Sequence, residues 1–372
     1  MSIPLLLLIL LLQIVYAQEV CSKEEALSRF KEVLTKYYLW KDRVDGVEWG
    51  SLDEAITYLR KKGDRWTTIT KLEEDRLWYS KAKMLGVGIR WDDDGQIRRV
   101  FRGSPAEKSG LKEGDIIISV NGVEDKGLWS QTIRSVPVGN IINMVVKRGE
   151  NTINFRIIKG EFTVPPIEDV RVILLDHKRI GYIAMTNFTN PAIEEFKKTL
   201  EFLNSQKVDA LLLDLRNNGG GLISVAKAIA DMLIRGEGVM FYLESRSGGP
   251  SIYEFKSGEP LFKKPILVFV NRWTASAAEL LTTLLRTYAK AVVAGELTVG
   301  KYVGSNMYQL DSCGNVLRLV TFEMKLPNGR SITDDMGILP DCVIKAKGEE
   351  GLGMALDCLM QKVFQEPSVA QP

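Results

Sequence analysis

Three short apolar runs, the first two each ending in a polar turn that opens a helical pattern, constrain this chain more than any other feature. Val208-Asp209-Ala210-Leu211-Leu212-Leu213 stops at Asp214-Leu215-Arg216-Asn217-Asn218-Gly219-Gly220-Gly221, and a helical pattern follows through Ala226, Ala230 and Leu233. Ile266-Leu267-Val268-Phe269-Val270 stops at 271–279, and a second helix is predicted over 280–288. Ala291-Val292-Val293-Ala294-Gly295 leads into Glu296-Leu297-Thr298-Val299-Gly300-Lys301. Apolar strands alternating with helices predict strand-helix-strand crossovers and a parallel sheet. In such units every loop leaving a strand's C-terminal end lies on one rim, where open α/β folds place their ligands. Ser276 and Lys301, one helix and one strand apart, therefore fall on adjacent loops of that rim.

Composition removes several classes of function. Lys plus Arg is 49 and Asp plus Glu is 47, a net charge of +2, which offers no basic face for nucleic acid. No internal apolar stretch approaches the ~20 residues of a bilayer-spanning helix. The chain holds a single histidine, His177, within the polar turn Leu175-Asp176-His177-Lys178-Arg179. A Ser-His-Asp triad, a Cys-His pair and a multi-histidine zinc site all need more than a solvated turn residue. Nucleophilic catalysis here has to work without imidazole, and no metal or organic cofactor is implied.

The ends of the chain bear on compartment. Residues 3–17 form a short apolar run ending in Val15-Tyr16-Ala17, which reads as a signal peptide cleaved after Ala17, or else as a short membrane anchor. Either places the folded part outside the cytoplasm, with membrane association through 3–17 in the second case. Cys21, Cys313, Cys342 and Cys358 lack metal-type spacing and suit disulfides in an oxidising compartment. Cys313 with Cys342 is the expected pair, both lying near strand ends.

Upstream of the parallel sheet the texture differs. Residues 22–82 read as a helical scaffold, with Thr70 and Glu73 spaced as a capping box. From Leu85 short strands take over: Gly86-Val87-Gly88-Ile89, an Asp92-Asp93-Asp94-Gly95 turn, then Ser104-Pro105-Ala106, Ser109-Gly110-Leu111, Gly114-Asp115 and Val120-Asn121-Gly122. Ser104 should cap a one-turn helix that starts at Pro105 and ends at Gly110. In order and spacing these elements resemble a PDZ domain over 84–162. The resemblance implies that Leu85, Gly86, Val87, Gly88 and Ile89 take the carboxylate of a peptide C-terminus on backbone N–H groups, and that the peptide adds a strand to the sheet. Glycines on either side of Val87 suit such a close backbone approach. A spacer barrel is the plainer alternative. Pro165-Pro166 marks the boundary to the last domain.

A serine at a helix start, a nearby lysine and a glycine-rich turn supply a nucleophile, a base and oxyanion donors, the parts acyl transfer requires. Each has a plainer role too. Ser276 with Glu279 fits an S-x-x-E capping box, a lysine is usually a solvated charge, and a glycine turn is also a phosphate cradle. The chain carries no GxxxxGK[ST] and no strand-following GxGxxG.

Asp214-Leu215-Arg216-Asn217-Asn218-Gly219-Gly220-Gly221, Thr274-Ala275-Ser276-Ala277-Ala278-Glu279, Gly295-Glu296, Thr298, Gly300-Lys301, Pro327-Asn328-Gly329-Arg330-Ser331-Ile332 and Gly337-Ile338-Leu339-Pro340-Asp341 together resemble the carboxy-terminal processing (tail-specific) proteases over about residues 25–350. The resemblance implies a multidomain α+β chain: a helical N-terminal part over 22–82, an inserted PDZ-like β-barrel, a ClpP/crotonase-like α/β protease core over 163–350, and a C-terminal helix and tail over 351–372. It implies Ser276 as nucleophile, Lys301 as general base, and the N–H groups of Ala277 and of Gly220, chosen ahead of Gly221, as the oxyanion hole. Ser305 stands where the family commonly has a lysine-orienting glutamine, and Gln309 is the other candidate for that role. The implied protein is an exported serine endopeptidase acting on polypeptides with accessible apolar C-termini. The rivals are an inactive tail-binding adaptor and a small-molecule or acyl-CoA enzyme on the same core.

Overall fold

The computed structural model describes residues 22–256, 258–333 and 336–365. The apolar run 3–17, Cys21 and the end of the predicted C-terminal tail lie outside them. In chain order the elements begin with α1 (Lys23–Tyr37), α2 (Leu52–Lys61), β1 (Thr68–Lys71) and α3 (Leu72–Lys81). Next come β2 (Lys83–Gly86), β3 (Ile89–Trp91), β4 (Ile97–Val100), α4 (Pro105–Ser109), β5 (Ile116–Val120), α5 (Lys126–Ser135), β6 (Ile141–Arg148), β7 (Asn151–Ile158) and β8 (Gly160–Thr163). The core follows with β9 (Ile167–Leu175), β10 (Lys178–Met185), α6 (Pro191–Ser205), β11 (Ala210–Asp214), α7 (Ile223–Leu233), β12 (Val239–Ser245), β13 (Ser251–Glu254), β14 (Ile266–Val270) and α8 (Ala277–Ala289). It closes with β15 (Val292–Gly295), β16 (Val303–Gln309), β17 (Asn315–Lys325), β18 (Cys342–Val343) and α9 (Gly348–Leu359). Two compact units result. Among the described residues, one holds 22–75 with Phe241–Ile252 and Val303–Ser331; the other holds Arg76–Met240, 253–302 and those from 332 to 365.

In the first unit, Ser22 and Ser51 cap α1 and α2 by accepting from the N–H groups of Glu25 and Glu54, both at 3.2 Å. The wholly helical expectation for 22–82 fails at Thr68–Lys71, which pairs antiparallel with β17 in the sheet β1-β17-β12-β13. Thr70, expected as a helix cap, instead lies opposite Val316, and its hydroxyl donates to Asp75 Oδ2 at 2.7 Å. A β-branched Thr-Ile-Thr segment fits a pleated surface once a partner strand from the far end of the chain is in place. Windowed helical periodicity does not see that partner.

The second unit carries both predicted modules. Around Val87, Ile97, Leu111, Trp129, Ile142 and Met144 packs a small core, enclosed by the sheets β5-β6-β7, β3-β4 and β2-β8. Ser104, Pro105 and Gly110 cap, open and end α4 as expected, with Gly110 at φ 88°. Asp176 and His177 both have positive φ in the turn between β9 and β10.

The larger module is a six-stranded sheet in the order β18-β15-β14-β11-β10-β9. Every neighbouring pair is parallel except β10 with the edge strand β9. All five residues of β11 and of β14 are buried, and each large apolar side chain removed from water contributes about 1.5–3 kcal/mol. Leu352, Ala355, Leu356 and Leu359 of α9 close one face over Tyr182, Leu212, Leu267 and Phe269. The loops of interest begin at the strand ends of this packed platform.

One disulfide corrects the expected pairing. Cys342 on β18 bonds Cys358 on α9, with their Cα atoms 6.4 Å apart. Cys313 is engaged in a disulfide as well. Sequence proximity to strand ends misled because α9 folds back over the sheet and buries Cys358 against it, whereas Cys313 sits in the turn joining β16 to β17.

Candidate active site

The loops after β11, β14 and β15 leave the same rim, as parallel neighbours must. Asp214 ends β11 held by Arg216, whose Nη2 donates to Oδ2 at 2.6 Å and whose Nε reaches both oxygens at 3.0 Å. Tyr182 O–H adds a third donor at 2.9 Å. Burial first, then the Asp214 carboxylate beside it, drives the Tyr182 phenol far above its ordinary range, so it remains a donor. The Arg216 guanidinium lies 4.1 Å from the Phe269 ring centroid.

From this anchor the glycine turn is braced against the serine loop. Asn217 and Asn271 exchange two hydrogen bonds of 2.9 Å, Asn217 N–H to Oδ1 and Asn271 Nδ2 to Asn217 Oδ1. Thr274 donates to Leu215 O at 2.9 Å, and Ala275 N–H donates to Asn218 O at 3.0 Å. Asn218, fully buried, donates from Nδ2 to Met185 O at 2.9 Å. These asparagines were only letters of a pattern in the sequence; their bracing role needs the second loop.

Ser276 precedes α8 with φ 57° and ψ −120°, a conformation a side-chain-bearing residue adopts at a cost of order 1–3 kcal/mol. It follows strand β14 and opens helix α8, whose Ala278 N–H donates back to Ala275 O at 3.2 Å. Gly220 (φ 92°) abuts it: a Cβ built there would lie 2.7 Å from Ala275 O, 2.8 Å from Ala277 N and 3.0 Å from Ser276 Cβ. Gly220 and Ala277, the two expected oxyanion residues, are thus neighbours. The Gly220 N–H already donates to Asn218 Oδ1 at 2.9 Å, so in this conformation that donor is engaged within its own turn.

Glu279 joins the serine loop to the lysine loop. Its side chain is fully buried, and Oε2 accepts from Ser276 N–H at 2.8 Å and from Lys301 N–H at 2.9 Å. Oε1 accepts from Gly300 N–H at 2.7 Å and from the Thr298 hydroxyl at 2.5 Å. Ser276 and Lys301 are thereby brought together at their main chains. The S-x-x-E spacing signalled only the first of these bonds.

Ser305 and Gln309 lie on β16 within the other unit, opposite Val320 and Val316 of β17. Gln309 donates its amide N–H to Asp311 O at 2.8 Å within its own hairpin.

In the small module Leu85 and Gly86 pair with Glu161 and Gly160. Val87 O accepts from Ala106 N–H at 2.8 Å, and Gly88 O from Phe101 N–H at 3.0 Å. Ile89 lies opposite Val100, and β3 pairs only with β4 among the described residues. Gly88 is required by its own module: at φ 84°, a Cβ would come within 2.2 Å of Ser104 Cβ. Close backbone approach was the expected reason for that glycine, and helix α4 is what it approaches. Two residues on, Arg90 Nη1 donates to Asn217 O at 3.1 Å, touching the braced glycine turn.

A sheet whose rim carries a strained serine, a tethered lysine and a glycine turn, preceded by a small β module, defines a class of α/β peptidases with PDZ domains. Comparison agrees: residues 179–344 match peptidase family S41 and residues 79–157 match the PDZ domain. The carboxyl-terminal-processing protease of Picosynechococcus sp. is 31 % identical over 293 residues, covering 74 % of this chain and 67 % of the relative. The carboxy-terminal processing protease CtpA of Bacillus subtilis is 28 % identical over 321 residues, covering 84 % of this chain and 67 % of the relative. Among solved structures, the photosystem II D1 C-terminal processing protease superposes with a TM-score of 0.59 at 23 % identity, covering 89 % of this chain and 96 % of that one. The chain belongs to peptidase family S41, the carboxyl-terminal-processing proteases, a family of serine-type peptidases. It spans between 47 % and 67 % of the length of the first curated relatives it matches. No helix among the described residues is long and apolar enough to cross a membrane.

Proposed function

We propose that this protein is an exported serine endopeptidase that binds the C-terminal tail of a polypeptide through its PDZ module and hydrolyses a peptide bond with a Ser276–Lys301 dyad. The shared carboxylate oxygen of Glu279, accepting from the N–H groups of both residues, carries the reading. In the proposed reaction the uncharged Lys301 amine takes the Ser276 hydroxyl proton as Oγ attacks the scissile carbonyl carbon. The tetrahedral oxygen is met by the Ala277 N–H, and by the Gly220 N–H once it turns from Asn218. Collapse expels the amine, which takes the proton from Lys301, and water then hydrolyses the acyl-enzyme by the same steps. For the tail, the satisfied carbonyls of Val87 and Gly88 support a loop that offers its N–H groups to a carboxylate, and the unpaired side of β3 supports an added strand. Export is supported by the apolar run 3–17 and by the Cys342–Cys358 disulfide. A ClpP/crotonase-like core is supported by the parallel rim.

The test is cleavage of a folded reporter carrying an apolar C-terminal tail, with fragments identified by mass spectrometry. The wild type should release internal fragments. Ser276→Ala and Lys301→Ala should release none, and Ser276→Ala should bind the tail with unchanged affinity. Cleavage surviving Ser276→Ala refutes the nucleophile. Tail binding without any wild-type cleavage would favour the adaptor.

A further inference from the structure

We infer that Glu279 is a positioning residue for catalysis, one buried carboxylate that sets the backbone of nucleophile and base together; this rests on the proposed Ser276–Lys301 dyad. An ordinary capping glutamate needs only the N–H at its own helix start. Here three of the four donors come from a different loop, Thr298, Gly300 and Lys301, which lie 19, 21 and 22 residues along the chain. The fourth is the N–H of Ser276, whose φ of 57° needs external support to persist.

A third segment fixes the sense of these bonds. Ile338 N–H donates to Thr298 Oγ1 at 2.7 Å, so the Thr298 hydroxyl proton is directed at Glu279 Oε1. Gly337 (φ 93°) permits this approach, since a Cβ there would come 2.3 Å from Thr298 O. All four donors therefore point at a group that must accept on both oxygens. An ionised carboxylate does so, while a carboxamide turns an N–H₂ toward other donors whichever way it is flipped. The site tolerates the shape of glutamine but not its chemistry.

A merely structural glutamate would affect the amount of folded protein and leave the turnover of that folded protein alone. A positioning glutamate lowers kcat in the folded protein, because small misplacement of reacting groups is enough to cost about 100-fold. The experiment uses the full chain as wild type, Glu279→Gln and Thr298→Val, assayed on the tailed reporter. Folded fraction is read by near-ultraviolet circular dichroism, and amide hydrogen exchange by mass spectrometry. Glu279→Gln should fold, keep KM within about threefold, and lose about 100-fold in kcat. Exchange should rise together in peptides covering 274–280 and 296–302 while β11 and β14 stay protected. Thr298→Val removes one donor at nearly constant volume and should lower kcat about tenfold; it decides the matter if Glu279→Gln does not fold. Either folded variant turning over within twofold of wild type, or exchange rising in only one of the two peptides, overturns the inference. Absence of Ser276-dependent cleavage by the wild type instead overturns the dyad, and the exchange result then still reports whether Glu279 ties the two loops.

Discussion

Replacing Gly220 by alanine places a methyl group where the site has no room. Its nearest neighbours would be Ala275 O at 2.7 Å, Ala277 N at 2.8 Å and Ser276 Cβ at 3.0 Å, two of them main-chain atoms that cannot rotate aside. The residue would also have to hold φ near 92°, at a cost of about 1–2 kcal/mol for an L side chain. With the forced shift of the serine loop, total destabilisation is about 2–3 kcal/mol, lowering Tm by about 5–10 °C. The kinetic effect is the larger one. The methyl would crowd the Ala277 nitrogen, the proposed oxyanion donor, and losing such a donor costs about 10²–10³ in kcat. Gly219 is the control, since a Cβ there has nothing within 4 Å and its φ is not positive. Gly219→Ala should cleave the tailed reporter within about threefold of wild type. Steady-state kinetics and thermal melts of the three proteins side by side provide the assay. Gly220→Ala retaining more than about a tenth of wild-type kcat would refute the assignment of the Ala277 amide, because a blocked oxyanion donor costs more than that.

The PDZ module should weaken in acid through Asp115. Burial pushes that carboxyl upward, but two hydrogen bonds from Arg148, one from Lys112 N–H and the Arg148 charge outweigh it and hold the group below the usual carboxylate range. Its folded pKa is depressed, so its stabilisation is full above about pH 4 and is lost as pH falls through the lowered value. Asp115→Asn should flatten that acid limb in chemical denaturation, and an unchanged acid limb counts against the ion pair. Replacing Cys342 and Cys358 together by serine opens a short loop, 16 residues in separation, and should cost about 3 kcal/mol. Amide exchange would show the loss first in α9. Unchanged protection there would mean that packing on the sheet suffices.

What could be read in advance followed local rules. The helix caps at Ser104 and Gly110, the turn at His177 and the buried strands 210–214 and 266–270 each depend on a few adjacent residues. Thr70 failed because its partner, Val316, belongs to a strand from the far end of the chain. Cys342 found Cys358 because a helix folded back over the sheet. Glu279 looked like a helix cap, and it is one, but three of its four bonds reach another loop.

By itself the amino-acid order determined the strand-helix alternation, the rim on which Ser276 and Lys301 fall, and the residue types able to act there. It did so because apolar periodicity and turn chemistry are written within ten or twenty neighbouring positions. Tertiary structure alone decided which donors converge on the Glu279 carboxylate, that Gly220 lies against Ala277, and that its N–H turns to Asn218. Those contacts join loops separated along the chain, and a hydrogen bond responds to tenths of an ångström that no spacing of letters specifies.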